Sequence, residues 1–422
     1  LDADLSHIDA PITIVISDDV TLESGAKIGA VDLTIAVSGN DPFTLDVTAL
    51  GANFALTAAE SLTVNTDATL ALTATQADGL SATGAGSIAV SGLEDVLDAD
   101  LVDLGTDSLT ATVDLESTSV TFTGALGQAE VTITGTGGAT FTLADTATLT
   151  APNVGSATFQ VGEGAVLAGS ATLLDGYTAA GDGTVRVTAL EARPNAVLEN
   201  MTAAVVTAAV TVADGDTLAF TGHLGKAAVT IEGTDGASAD PDTFDVTGAE
   251  SIGTATFTVG ASATLLLTAD QADGRDIDVT GNVIVEGLQD DTDLSGVVVG
   301  NDADLTLTAH FSENAEPNPN NAGEGSYADY GVRADVAGTY TFDWDVTGGG
   351  NENHYNNLWV FSDDPARDEE WEELTTGSDQ GSFSVTIAAG QVLVFWAASS
   401  DGAPGEDSVS YTHLTLPTIY SV

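Results

Sequence analysis

Phe122-Thr-Gly-Ala-Leu-Gly-Gln-Ala-Glu-Val-Thr-Ile-Thr-Gly-Thr-Gly-Gly138 is written a second time, 98 residues further on, as Phe220-Thr-Gly-His-Leu-Gly-Lys-Ala-Ala-Val-Thr-Ile-Glu-Gly-Thr-Asp-Gly236. A looser copy runs from Leu22 through Gly29 and Val31-Asp-Leu-Thr-Ile-Ala-Val-Ser-Gly39, so Gly29, Gly127 and Gly225 share the same spacing. Leu72-Thr-Ala-Thr-Gln-Ala-Asp-Gly79 returns as Leu267-Thr-Ala-Asp-Gln-Ala-Asp-Gly274, with a worn copy at Thr172-Leu-Leu-Asp-Gly176 between them. A fixed period of this length marks a repeat architecture, and it governs the reading of the rest of the chain.

Inside each copy the residues alternate. In Val31-Asp-Leu-Thr-Ile-Ala-Val37 the odd positions are branched and apolar and the even ones are Asp, Thr and Ala; Phe43 to Val47, Val131 to Ile133 and Val229 to Ile231 behave alike. This is the pattern of strands with one dry face. Gly, Asn and Asp punctuate the strands every ten residues or so, as tight turns require. Aromatics are only 6% of the chain, and the first 300 residues hold no Trp to anchor a sandwich core. The copies follow without a linker, and a shorter self-similarity runs within each. The expectation is an all-β fold: a parallel β-solenoid (β-helix) of ~98-residue repeats, followed by a C-terminal β-sandwich (jelly-roll-like) module. Tandem immunoglobulin-like β-sandwiches, one per repeat, are the alternative.

The period sets the expected domains: repeats at 1–95 and 96–192, then 193–305 as the third repeat with the start of a fourth. A change of character follows. Residues 312–332 form a polar, Pro-broken loop, beyond which lie all four tryptophans, Trp344, Trp359, Trp371 and Trp396. Residues 306–410 therefore read as a β-sandwich module. The last residues, 411–422, resemble translated sequencing-adapter read-through and are expected to be a non-native tail.

Seven basic residues stand against 64 acidic ones, for a formal charge of −57. Nucleic acid is excluded as a partner, because phosphate backbones need Lys and Arg to replace their counterions. Anionic membrane surfaces are excluded likewise. Such a charge strains a compact fold by self-repulsion unless salt or bound cations screen it. There is no cysteine, so no disulfide operates, and no apolar run is long enough to span a bilayer.

Alternating Val-Thr strands, the Gln-Ala-Asp-Gly landmarks and the Gly92-Leu-Glu-Asp95 to Leu97-Asp-Ala-Asp-Leu101 junction together resemble the S-layer-like and adhesin-like β-strand-repeat surface proteins of Gram-negative bacteria. The resemblance covers residues 1 to about 305. It implies an extracellular location on the bacterial cell surface, and partners that are other copies of the chain or cell-surface components, including glycans.

Calcium takes six to eight oxygen ligands, and three places gather carboxylates. Asp98, Asp100 and Asp103, just after Glu94 and Asp95, form the first; Asp290, Asp291 and Asp293 the second; Asp343 and Asp345 the third. These are the candidate metal ligands, with calcium as the expected cation. Trp359 and Tyr355 are the candidate sugar-stacking residues of the last module. No residue is assigned a catalytic role. The basic residues do not recur at equivalent positions: Lys27 aligns with Ala125 and His223, and Lys226 with Ala30 and Gln128. The expected function is a non-enzymatic, calcium-stabilised extracellular repeat protein, acting as a surface-layer or spacer element. An adhesin whose last module binds a carbohydrate is the alternative, and a polysaccharide-degrading β-helix enzyme the remote one.

Overall fold

The computed structural model describes residues 11–28, 32–54, 61–147, 149, 157–234, 240–288, 294 and 296–299. From residue 300 on it describes the backbone of eight strands, Asp304–His310 being the first and Ser408–Thr415 the last. Two compact units make up the chain, one of residues 1–189 with 197–207, the other of residues 190–196 with 208–422.

In the first unit, strands stack in parallel with their equivalents one turn away. Ile12–Ile16 pairs with Leu33–Val37, which pairs with Leu62–Val64, then Ala82–Ser91 and Leu104–Asp114. Hydrogen bonds join residues 20 to 29 positions apart, the length of one turn. The alternation in sequence explains why the stack holds. Leu33 lies on Leu62 and Ile35 on Val64, all at most 1% exposed, so like side chains repeat at the ~4.8 Å strand spacing. Burying each such side chain contributes about 1.5–3 kcal/mol. On the outer face Thr13, Thr34, Thr63 and Thr83 fall in one register row. The second unit repeats the device, with Val229, Phe257, Ile277 and Val297 stacked and buried. The parallel β-solenoid is thus the fold, and the antiparallel immunoglobulin-like alternative is set aside.

The repeat does not contain a whole number of turns. Leu104–Asp114 covers Ala82–Ser91 from Leu104 on Ala82 to Ala111 on Val90. Its last five residues, from Thr110, then receive Glu130–Thr134. Val131, the counterpart of Leu33, therefore does not continue the Leu33 column. It continues the neighbouring column, which holds Phe43–Asp46 and Ala68–Thr73. The second copy starts one face further round.

The Gln-Ala-Asp-Gly landmark is a corner lock. Ala74–Ala77 and Ala269–Ala272 are single helical turns, each begun by a capping box in which Thr73 pairs with Gln76 and Thr268 with Gln271. The same glutamines reach back one turn: Gln76 Nε2 donates to the Val47 carbonyl at 2.8 Å, and Gln271 Nε2 to that of Val246 at 2.7 Å. The receiving corners match too, since Asp46 accepts from both the amide and hydroxyl of Thr48, and Asp245 from those of Thr247. In the worn copy Leu173 replaces the glutamine and only the Ser170 cap survives. Gln271→Leu is expected to cost about 1–3 kcal/mol, the penalty for two orphaned backbone groups, and Gln76→Leu the same. Urea unfolding midpoints measure both.

Close approach between turns is set by glycine. A Cβ on Gly124 would lie 2.2 Å from the Ala99 carbonyl oxygen, and one on Gly222 2.1 Å from that of Ala196. Both glycines belong to the twice-written segment that reveals the period.

Asp304–His310 still pairs in parallel, with Asn282–Leu288, and the strands after it pair with one another antiparallel. Tyr327–Ala334 pairs with Val392–Ala398, which pairs with Asn357–Ser362, while Gly338–Thr347 lies between Gln380–Ile387 and Ser408–Thr415. These strands extend the parallel ladders: Tyr327–Ala334 pairs with Val297–Val299, and Ser408–Thr415 with Asp304–His310. Residues 411–415, in the segment expected to be non-native, lie in the last strand; 416–422 are outside the described residues.

Candidate functional site

The carboxylates of the exterior have a common use. Asp78 Oδ1 accepts from the Asp100 amide at 2.8 Å, and its repeat counterpart Asp175 accepts from that of Val197 at 2.8 Å. Glu94 Oε2 accepts from the Asp114 amide at 3.0 Å, and its counterpart Glu191 from that of Thr211 at 3.1 Å. Each bond joins a side chain to the backbone of the next turn, where the amide would otherwise face water. In the second unit Asp242, 5% exposed, accepts from Gly215 at 2.6 Å and from Thr234 at 2.8 Å. Acidic residues therefore staple the turns as well as solvating them.

Asp32 is the staple whose titration is displaced. The Ser61 amide at 3.0 Å and then the Ser61 hydroxyl at 2.9 Å hold its carboxyl below the usual carboxylate range. A depressed folded-state value adds stability that is present above the unfolded value and is lost as pH falls through the folded one. The melting-temperature gap between the parent and Asp32→Asn is expected at neutral pH and should close on acidification, which a pH series of thermal melts would show.

Asp98, Asp100 and Asp103 are all exposed, because Ala99, Leu101 and Leu104 take the buried positions between them. The Asp100 carboxylate accepts from the amide of Val102 at 3.1 Å. Among the described residues no three His, Cys, Asp or Glu side chains are placed to hold a metal ion. Asp290, Asp291, Asp293 and Tyr355 lie outside the described residues. Asp343 and Asp345 stand in Gly338–Thr347, opposite Ser382 and Gln380. Trp359 stands opposite Trp396 on one side and Glu373 on the other.

Stacking does bring one acidic set together. Glu94, Asp95, Asp114 and Glu116 line an open groove of about 370 Å³, with Leu115, Thr118 and Val120. Asp114 there accepts from the Glu116 amide at 3.3 Å and the Thr134 hydroxyl at 3.2 Å. Asp114 and Glu116 were not visible as partners of Glu94 in sequence; the signal was the turn length of 20 residues that sets one above the other. In the second unit His223 Nε2 lies 2.7 Å from Glu250 Oε2. Arg275, half-buried, donates to the carbonyls of Gln271, Ala255 and Gly253, and burial lowers its pKa.

No family model matches the chain, and no curated protein does. Among solved structures it is similar to the enzymatically active domain of bacteriophage CBA120 tailspike protein 4, at 9% identity and a TM-score of 0.19. The match covers 96% of this chain and 64% of that one, so the chain spans less than two thirds of that structure. The expectation of a chain without enzymatic activity is corrected by this neighbour, an enzymatically active domain. Acid–base work on a glycosidic bond needs two carboxylates, and four line the groove of Glu94, Asp95, Asp114 and Glu116. No helix among the described residues is long and apolar enough to cross a membrane.

Proposed function

We propose that the chain is an extracellular scaffold, a surface-layer or spacer element whose stacked turns carry load along the ladder. The observation behind this reading is the recurrence of the same inter-turn staples and corner locks, Asp78 with Asp175, Glu94 with Glu191 and Gln76 with Gln271. A fold that repeats its fastenings from copy to copy resists shear, and a −57 exterior keeps it solvated in ion-rich surroundings. Antibody to residues 62–134, applied to intact source cells, is expected to label the outer surface by electron microscopy; label found only after lysis refutes the reading.

Calcium enters as the counter-ion of the acidic exterior, through Asp98, Asp100 and Asp103. Millimolar calcium is expected to raise the melting temperature beyond sodium chloride of equal ionic strength, and replacing all three by Asn to remove the excess. Equal effects of the two salts would leave only screening.

A second reading has a specific observation behind it: the groove of Glu94, Asp95, Asp114 and Glu116 is a place for glycoside hydrolysis, with one carboxyl as acid and one as base or nucleophile. Reducing-sugar release from a polysaccharide panel, lost in Asp95→Asn and Glu116→Gln, would establish it; no release from the parent would remove it.

A further inference from the structure

Asp41-Pro42 and Asp240-Pro241 occupy one position in two copies of the repeat. Register partners fix the alignment: Leu45 lies on Val20, Phe141 on Val120 and Phe244 on Leu218. The residues three and four places before them are Pro42 and Asp41 in the first copy, Gly138 and Gly137 in the second, Pro241 and Asp240 in the third. The fold does not require the pair. In the middle copy the Gly138 amide donates to the Gly164 carbonyl at 3.0 Å, a bond that proline, lacking an N–H, gives up.

Asp41 and Pro42 are both exposed, in the corner between Leu33–Val37 and Phe43–Asp46. Among the described residues no hydrogen bond or ion pair holds the Asp41 carboxylate. Its neighbours are held: Asp19 Oδ1 accepts from the Thr44 amide at 2.8 Å, Asp32 Oδ1 from that of Ser61 at 3.0 Å and Asp46 Oδ1 from that of Thr48 at 2.9 Å. The chain after the proline is fixed too, since the Phe43 amide donates to the Asp67 carbonyl at 3.1 Å. An unheld carboxylate and a peptide bond open to water thus meet on a nitrogen that belongs to a tertiary amide.

We propose that Asp41–Pro42 is a self-cleaving peptide bond, opened by acid. An oxygen of the Asp41 carboxylate attacks the carbonyl carbon of its own residue, efficiently because nucleophile and electrophile are tethered. The C–N bond breaks, and the Pro42 nitrogen leaves with a proton taken from the acid medium. A prolyl nitrogen takes up that proton more readily than an ordinary peptide nitrogen does. Water then opens the cyclic anhydride, leaving a second carboxyl on Asp41 and a new amino terminus at Pro42. The ladders keep the two pieces together. Leu33–Val37 stays on Leu62–Val64 and Val20–Thr21 on Phe43–Asp46, and the Asp19 and Asp32 staples both cross the cut. The product is a nicked chain that keeps its fold. Asp240–Pro241, also exposed, is the same bond in the third copy.

The test holds the full chain in acetate buffer at the lowest pH at which its β-sheet circular dichroism persists, and reads new amino termini by mass spectrometry. The parent is expected to yield a terminus at Pro42, with pieces 1–41 and 42–422 separating only in denaturant. Asp41→Asn should slow this cut about tenfold or more, by removing the tethered nucleophile. Pro42→Ala, which keeps the carboxylate and spoils the leaving group, should slow it as well. Melting temperatures equal to the parent's exclude a change of fold as the cause. A folded parent with no terminus at Pro42, or Asp41→Asn cut at the parent's rate, overturns the assignment. Pieces that part without denaturant overturn the ladders' hold on them.

Discussion

Gly222→Ala is expected to destabilise the second unit by about 3 kcal/mol or more, among the largest effects of any single methyl group in the chain. The added carbon would stand 2.1 Å from the Ala196 carbonyl oxygen, with backbone atoms of Asn195 and Ala196 at 2.6 and 2.8 Å. Backbone of the neighbouring turn cannot rotate aside as a flexible side chain would, and Ala196 is fixed by the bond it accepts from His223. Gly124→Ala should cost the first unit as much, its Cβ meeting the Ala99 oxygen at 2.2 Å. Gly137→Ala is the control: nothing lies within 4 Å, and only its φ of +66° opposes a side chain, at about 1–2 kcal/mol. Denaturant midpoints of the three variants separate close approach from backbone strain.

The second large effect lies in the core. Phe122 is 0% exposed, with its ring 5.6 Å from that of Phe141 at a 38° tilt. Phe220 repeats the arrangement with Phe244, at 5.9 Å and 51°. Phe122→Ala and Phe220→Ala should each cost about 3–5 kcal/mol, the transfer of a phenyl ring plus the cavity it leaves. Phe122→Ala with Phe141→Ala should cost less than the sum, because the two rings share one contact. Equilibrium unfolding of the single and double variants measures it, and strict additivity would deny the pairing.

Much of this was legible in the residues. The 98-residue spacing of Gly127 and Gly225 and the alternation of Val131, Thr132 and Ile133 led to parallel stacking, because identical strands at a fixed period can bury their faces on one another. The shift of face between copies was not legible. It depends on Leu104–Asp114 running unbroken from one register partner to the next, which alternation alone does not encode. Gln76 and Gln271 stood out as landmarks, yet their bonds to Val47 and Val246 span 29 and 25 residues and need the turn to be closed first. Among the acidic residues, linear spacing and stacking group different sets. Asp98 and Asp100 are close in sequence because strand-like alternation sends both outward, whereas Glu94 and Asp114 share a groove from 20 residues apart.

Single-molecule pulling shows whether load is borne by turns fastened one to the next. The chain lacks cysteine, so Thr63→Cys and Arg186→Cys give unique handles on the first unit of the full chain. Peeling turn by turn predicts a ladder of steps of about 70–100 Å, the extended length of the 20 to 29 residues in a turn at ~3.5 Å each. Release of the whole span between the handles in one step, at about 3.5 Å per residue, would contradict it.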